Sequence, residues 1–274
     1  MANKPSSRSS QVKGTIIVSF IKALGFLPLP ISQSITGFIA WLSYQTNSTS
    51  RKVTEVNLQL CYPELSAKER ACLTRKSIKA SGMLMAEAAK IWTQPIEKIL
   101  TMISHVEGEE LINNLNKNST KGTLVISPHL GNWEFIYPYL AHHFIASGLY
   151  RPPKIAELAT LILAGRAKAL AGRTDTGGQI IKASYMEVRK MLRVLKNAEI
   201  LVMLPDQQPQ QGSGVFADFY GHQAYTMTLL QGLAQRTGAT IIMATCLRSN
   251  AGFKLTFSPV DIDPSLSNQL FAEQ

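Results

Sequence analysis

Three short aliphatic runs do most to limit the folds open to this chain. Residues 123–127 (TLVIS), 200–204 (ILVML) and 239–246 (ATIIMATC) are rich in β-branched residues and carry no polar face. That is the pattern of strands buried on both sides of a sheet. Residues 253–259 are a candidate fourth strand. Helical segments are expected between them: one starting near Gly131, a basic amphipathic one over 179–196, and one over 226–236. Strands alternating with helices point to an α/β domain with a mainly parallel sheet flanked by helices. Polar residues stand where two of the strands end, Pro128-His129 after the first and Pro205-Asp206 after the second. Ligands of open α/β sheets bind outside the carboxyl ends of strands, so these two loops are the first place to look for a site. Upstream, Ser66 with Glu69 forms a capping box that opens a helix running to about Trp92. Glu87 in that helix is surrounded by Met and Ala residues; a carboxylate there needs a partner, and an arginine in a structural pair is the expected one.

The first thirteen residues are polar and basic and read as an unstructured tail. In residues 15–27, Ile16, Ile17, Phe20, Ile21 and Leu24 share one helical side and Thr15, Ser19 and Lys22 the other; Pro28 and Pro30 end the helix. A second helix is expected after Ser32 as N-cap, with Ile35, Phe38, Ile39 and Leu42 at i, i+3, i+4, i+7. A spanning helix needs about 20 apolar residues. The first run falls short and contains Lys22, and no small-residue cleavage site follows it. The pattern favours a hairpin lying in a membrane surface, with a short transmembrane anchor second and a core helix pair as the plain structural reading.

The 274 residues carry 28 Lys and Arg against 18 Asp and Glu, a formal charge of +10. Residues 1–54 hold six basic residues and no acid, and 151–199 hold ten basic against four acidic. This excess implies an anionic partner: lipid head groups, phosphates or an acidic protein. No helix-turn-helix, RRM or zinc pattern supports nucleic acid. Cys61, Cys72 and Cys246 form no metal-ligand spacing and no disulfide framework.

The loop after the first strand reads Ser127-Pro-His129-Leu-Gly-Asn-Trp-Glu134. Its imidazole is a candidate general base. On a regular helix His129 and Glu134 would lie about 140° apart. With His129 in the loop and Glu134 on the first turn they can meet, and the carboxylate would then hold one ring nitrogen and raise the basicity of the other.

This segment resembles the His-x4-acid motif of membrane glycerolipid acyltransferases. SPHLGNWE is closer still to the late acyltransferases of bacterial lipid A biosynthesis, the lauroyl/myristoyl transferase family. Further blocks follow in the family's order: Asn57-Leu58 with Cys61, Pro63 and Glu64; Gly82 and Glu87; Tyr150-Arg151-Pro152; Arg166 and Arg173; Pro205-Asp206-Gln207; and Gly214-Val215 with Phe219-Tyr220-Gly221, Ala224 and Thr226. Tyr220 replaces a usual Phe and Asn197 a usual Gly. The family's aromatic, basic C-terminal helix has no counterpart before Gln274, so a short or truncated member is expected.

The resemblance implies transfer of a fatty acyl chain from acyl carrier protein to the hydroxyl of a 3-hydroxyacyl chain on a lipid A precursor. It makes His129 and Glu134 catalytic and places Arg151, Arg166, Arg173, Asp206 and Gln207 in substrate binding. Arg166 or Arg173 would stabilise the oxyanion or hold a lipid phosphate. No metal or organic cofactor is implied, and transfer is direct. Together with the N-terminal pattern and its basic flanks, the resemblance gives a tail 1–13, membrane-anchoring helices 14–46 and an acyltransferase α/β domain 47–274, at the cytoplasmic face of a bacterial inner membrane and against an anionic leaflet. Transfer to another glycolipid, such as a phosphatidylinositol mannoside, and a catalytically dead lipid-binding homologue are the alternatives.

Overall fold

Alternate residues of the aliphatic runs go to opposite sides of one sheet. A computed structural model describes residues 8–118, 120–170 and 177–260. Four helices come first, α1 (Arg8–Phe26), α2 (Leu29–Gln45), α3 (Thr49–Cys61) and α4 (Ala67–Thr93), then the short α5 (Ile96–Leu100). There follow β1 (Ile103–Glu107), α6 (Glu109–Asn118), β2 (Thr123–Ile126), α7 (Ile136–His143), β3 (Ala146–Tyr150), α8 (Ala156–Ala167), β4 (Ile180–Lys182), α9 (Val188–Lys196) and β5 (Ile200–Met203). The hairpin β6 (Gly214–Phe219) and β7 (His222–Met227), then α10 (Leu229–Thr237), β8 (Thr240–Ser249) and β9 (Gly252–Pro259) complete the order. The main sheet runs β1-β9-β8-β2-β5-β3-β4. Every neighbouring pair is parallel except β8 with β9.

Period-two alternation divides the core. Leu124, Ile126, Leu201, Met203 and Ile241 pack with α9 and α10 on one face. Val125, Ile200, Val202, Ile242 and Ala244 pack with α1, α4, α7 and α8 on the other. Both faces are covered, which is why the runs have no polar side. The expected α/β class, with a mostly parallel sheet between helices, is the observed one.

Several local expectations are corrected. Residues 8–13, read as part of an unstructured tail, belong to α1; residues 1–7 and 261–274 lie outside the described residues. Ser32 is no N-cap: α2 starts at Leu29, where Pro30 costs nothing because an early helical N–H has no partner anyway. Ser32 instead donates its hydroxyl to the Leu24 carbonyl at 2.7 Å. Residues 179–184 are not helical and hold β4, Tyr185–Glu187 form a 3-10 turn, and the regular basic helix is α9. Thr226 belongs to β7 rather than to a helix. The capping box of Ser66 and Glu69 is present, and it holds the Glu69 carboxyl below the usual range through bonds from the Ser66 hydroxyl and then its N–H.

The two N-terminal helices are joined to the domain through α4. Ile21 and Leu24 are buried in the same cluster as Ala88, Ile91 and Trp92. The last carbonyls of α1, which no intrahelical donor can reach, are met from α4: Lys90 donates to Gly25 and Leu27, and Gln94 to Gly25. Burial pushes the Lys90 ammonium below its ordinary range, with Lys98 adding to the shift. Gly82 marks the crossing of α4 with α2, since a Cβ there would come within 2.6 Å of the Ala40 Cβ. The opposite faces of both helices stay bare, with Ile16, Phe20, Phe38, Ile39 and Trp41 exposed. Among the described residues no helix is long and apolar enough to cross a membrane.

Candidate active site

The site is set by two neighbouring strands that end in step. β2 and β5 are parallel with Ile126 opposite Met203. Beyond that pair each chain runs one residue and a proline, then His129 on one side and Asp206 on the other. The two side chains therefore leave the sheet edge at the same height. The Asp206 carboxylate grips the His129 residue twice: Oδ2 accepts its backbone N–H at 2.7 Å and Oδ1 faces ring Nδ1 at 2.7 Å. A carboxylate only accepts, so Nδ1 carries the proton and the lone pair sits on Nε2. The Gln207 side-chain amide faces that nitrogen at 3.1 Å. The ring lies edge-on to Trp133, with centroids 4.7 Å apart, and its side chain is 29% exposed. The result is an oriented imidazole with its basic nitrogen turned to an accessible surface.

The expected contact of Glu134 with His129 is replaced by this one. Glu134 begins no regular helix; it stands in a short 3-10 turn, Trp133–Phe135. There its Oε1 accepts from Arg166 at 2.9 Å and its Oε2 from the Trp92 indole at 3.0 Å. Arg166, projecting from α8, has its guanidinium 5.4 Å from the centre of the Tyr150 ring. Burial raises the Tyr150 phenol, Arg166 opposes the shift and Glu134 adds to it. Glu134, in the turn that follows His129, thus forms a largely buried ion pair with Arg166 of α8.

A second carboxylate supports the loop from below. Gly131 has φ of 65°, and a Cβ on it would meet the Cys246 carbonyl oxygen at 2.2 Å, so only glycine lets the loop lie this close to β8. Asn132 N–H then donates to that same carbonyl at 2.7 Å. The Asn132 amide donates to Glu87 Oε2 at 2.9 Å, and Arg248 and Gln33 donate to Oε1 at 2.5 and 2.8 Å. Glu87 is completely buried, and Arg248 is the arginine it was expected to need. Burial, and next the Glu87 charge, pushes the Cys246 thiol up to about 12. At pH 8 about one in ten thousand such thiols is ionised. N-ethylmaleimide is expected to label the half-buried Cys61 and Cys72 in the native protein and Cys246 only after unfolding; mass spectrometry of labelled peptides reads the difference.

Of the remaining candidates, Arg151 is exposed where β3 leaves the same edge of the sheet, two strands from His129. Arg173 lies outside the described residues. Trp92, Trp133, Asn132 and Arg248 were not singled out by the sequence. The matching strand-x-Pro-His and strand-x-Pro-Asp exits were the available signal for the His129–Asp206 pair.

A family model described as bacterial lipid A biosynthesis acyltransferase matches residues 3–269. The lipid A biosynthesis lauroyltransferase of Escherichia coli (strain K12) is 26% identical over 248 residues, covering 88% of this chain and 76% of the relative. The lipid A biosynthesis palmitoleoyltransferase of the same organism is 23% identical, covering 85% and 74%. A lipid A biosynthesis acyltransferase of Haemophilus influenzae is 24% identical over 205 residues, covering 74% of this chain and 62% of the relative.

Proposed function

Because the chain belongs to the bacterial lipid A biosynthesis acyltransferase family and is an acyltransferase, we propose that it moves a fatty acyl chain from acyl carrier protein to the hydroxyl of a 3-hydroxyacyl chain on a lipid A precursor. The observation that carries the catalytic part is the double grip of Asp206 on His129, which leaves Nε2 basic and accessible. The acceptor hydroxyl displaces the Gln207 amide at Nε2. Its proton passes to the ring as its oxygen attacks the thioester carbonyl. The tetrahedral intermediate then expels the carrier's thiolate, which takes the proton from His129. Asp206 holds the imidazolium through Nδ1. Glu134 acts through Arg166, which it holds in an ion pair, and that guanidinium is assigned to stabilising the oxyanion. Arg151, at the same edge, meets the phosphates of the acceptor or the acidic carrier.

Asp206→Asn tests the orientation step. A fall of about 10²-fold in kcat is expected, with KM changed little. A kcat within threefold of the native value would remove Asp206 from the mechanism. The substrate assignment is read separately, by mass spectrometry of lipid A from a strain lacking its own late acyltransferase and carrying this chain. A new acyloxyacyl group supports it, and unchanged lipid A from an active, well-expressed enzyme rejects it.

We assign the bare faces of α1 and α2 to the cytoplasmic leaflet of the inner membrane, with the basic residues around them meeting anionic lipid. The support is the exposed row of Ile16, Phe20, Ile39 and Trp41 on helices whose other sides are packed. Ile16→Ser with Phe20→Ser is expected to move the protein from the liposome fraction to the supernatant at an unchanged thermal transition. Undiminished co-sedimentation would reject this surface.

A further inference from the structure

A groove of about 770 Å³ runs between α2 and α4, and His129 is not among its lining residues. Gly37, Phe38 and Trp41 of α2 form its apolar wall, and Arg75, Lys76 and Lys79 of α4 form its rim. Phe38 and Trp41 stack with ring centres 5.6 Å apart, and both are more than 40% exposed. The three rim cations are exposed and have no acidic partner among the described residues. Arg75 and Lys79 are four residues apart on one helix, a like-charge spacing that is unfavourable on a helix surface. The groove thus carries two uncompensated features side by side, a wetted aromatic wall and a knot of positive charge. A single ligand relieves both if it has an anionic head and a hydrocarbon tail. An inorganic anion would leave the aromatic wall wet, and a neutral lipid would leave the cations unpaired.

We propose that this groove binds one anionic glycerophospholipid of the bilayer, its phosphate on Arg75, Lys76 and Lys79 and one acyl chain along Gly37, Phe38 and Trp41. The choice of source rests on the membrane-facing reading of α1 and α2, because Phe38 and Trp41 belong to that same bare surface. The site also touches the support of the catalytic loop. Gln33 lines the groove and donates to Glu87 Oε1 at 2.8 Å, and Glu87 Oε2 holds Asn132. The bound lipid sits one hydrogen bond from the carboxylate that fixes the His129 loop.

The test uses the full chain with dihexanoyl phosphatidylglycerol below its micelle concentration, titrated by calorimetry. The comparison ligands are dihexanoyl phosphatidylcholine, inorganic phosphate and the phosphorylated disaccharide acceptor lipid. Saturable one-site binding of the phosphatidylglycerol is expected, with the choline lipid and phosphate at least tenfold weaker. Two variants attack the two halves of the site. Arg75→Ala with Lys76→Ala and Lys79→Ala removes the head-group contacts. Gly37→Leu fills the tail groove and leaves the cations in place; its Cβ meets nothing closer than the Lys79 Cε at 3.9 Å. Each is expected to weaken binding at least tenfold while keeping the native circular dichroism. Equal affinity for the choline lipid, binding confined to the acceptor lipid or to phosphate, or native affinity in both variants would overturn the proposal. No bilayer or acyl donor enters this measurement, so its failure leaves the liposome and transferase results standing on their own.

Discussion

His129→Ala is expected to slow acyl transfer by about 10²–10⁴-fold, the usual worth of a positioned general base. Measured with an acyl-loaded carrier protein and a hydroxyacylated disaccharide lipid, the loss should fall on kcat. The fold should survive, because the ring is partly exposed and Asp206 keeps its bond to the backbone N–H of residue 129. The double variant with Asp206→Asn should be no slower than His129→Ala alone, since the carboxylate acts through the ring and has nothing left to orient. A loss under threefold in the single variant would place the base elsewhere, and additive losses would show Asp206 acting on substrate independently.

Glu87→Ala is the second large effect, and it is one of stability. The carboxylate is completely buried and receives hydrogen bonds from Arg248, Asn132 and Gln33, residues on β8, the His129 loop and α2. Removing one member of a buried pair leaves the other charge uncompensated, at a cost of about 3–5 kcal/mol. Arg248 is partly exposed, so water takes up some of that charge, and a loss of about 3 kcal/mol is expected. For a chain of this size that lowers Tm by about 6–12 °C. Glu87→Gln, of the same shape, keeps an acceptor for Asn132 but turns an amide N–H toward the Arg248 donors, so it should recover only part of the loss. A cost below about 1 kcal/mol in urea unfolding would mean that Arg248 and Asn132 find other partners, and that Glu87 does not tie the three elements together.

The central strands β2 and β5 were readable because every residue in them is buried, which leaves short β-branched runs such as ILVML with no polar face. β3 (ASGLY) and β4 (IIK) were not, because one is rich in small residues and the other is only three residues long. β6 and β7 were hidden for another reason: the hairpin pairs with itself, and much of it is exposed. At the site, His129 and Asp206 were marked by their strand exits and Arg166 by the family resemblance, but the carboxylate expected to hold His129 was the wrong one. Glu134 is five residues from His129 and Asp206 is 77. Reasoning along one segment favours the near carboxylate. The far one wins because parallel pairing of β2 with β5 delivers both prolines, and the residues after them, to the same level. Register between distant strands is a property of the assembled sheet, and no local spacing reports it.

The way Lys90 and Gln94 close the end of α1 bears on how this enzyme can be handled. Greasy N-terminal helices invite trimming when a protein is wanted free of detergent. Here that cut would strip Ile21 and Leu24 from beneath Trp92, whose indole N–H holds Glu134. It would also strand a buried ammonium group without its two carbonyls. Changing the outward side chains of α1 and α2 leaves these contacts in place, and shortening the chain does not.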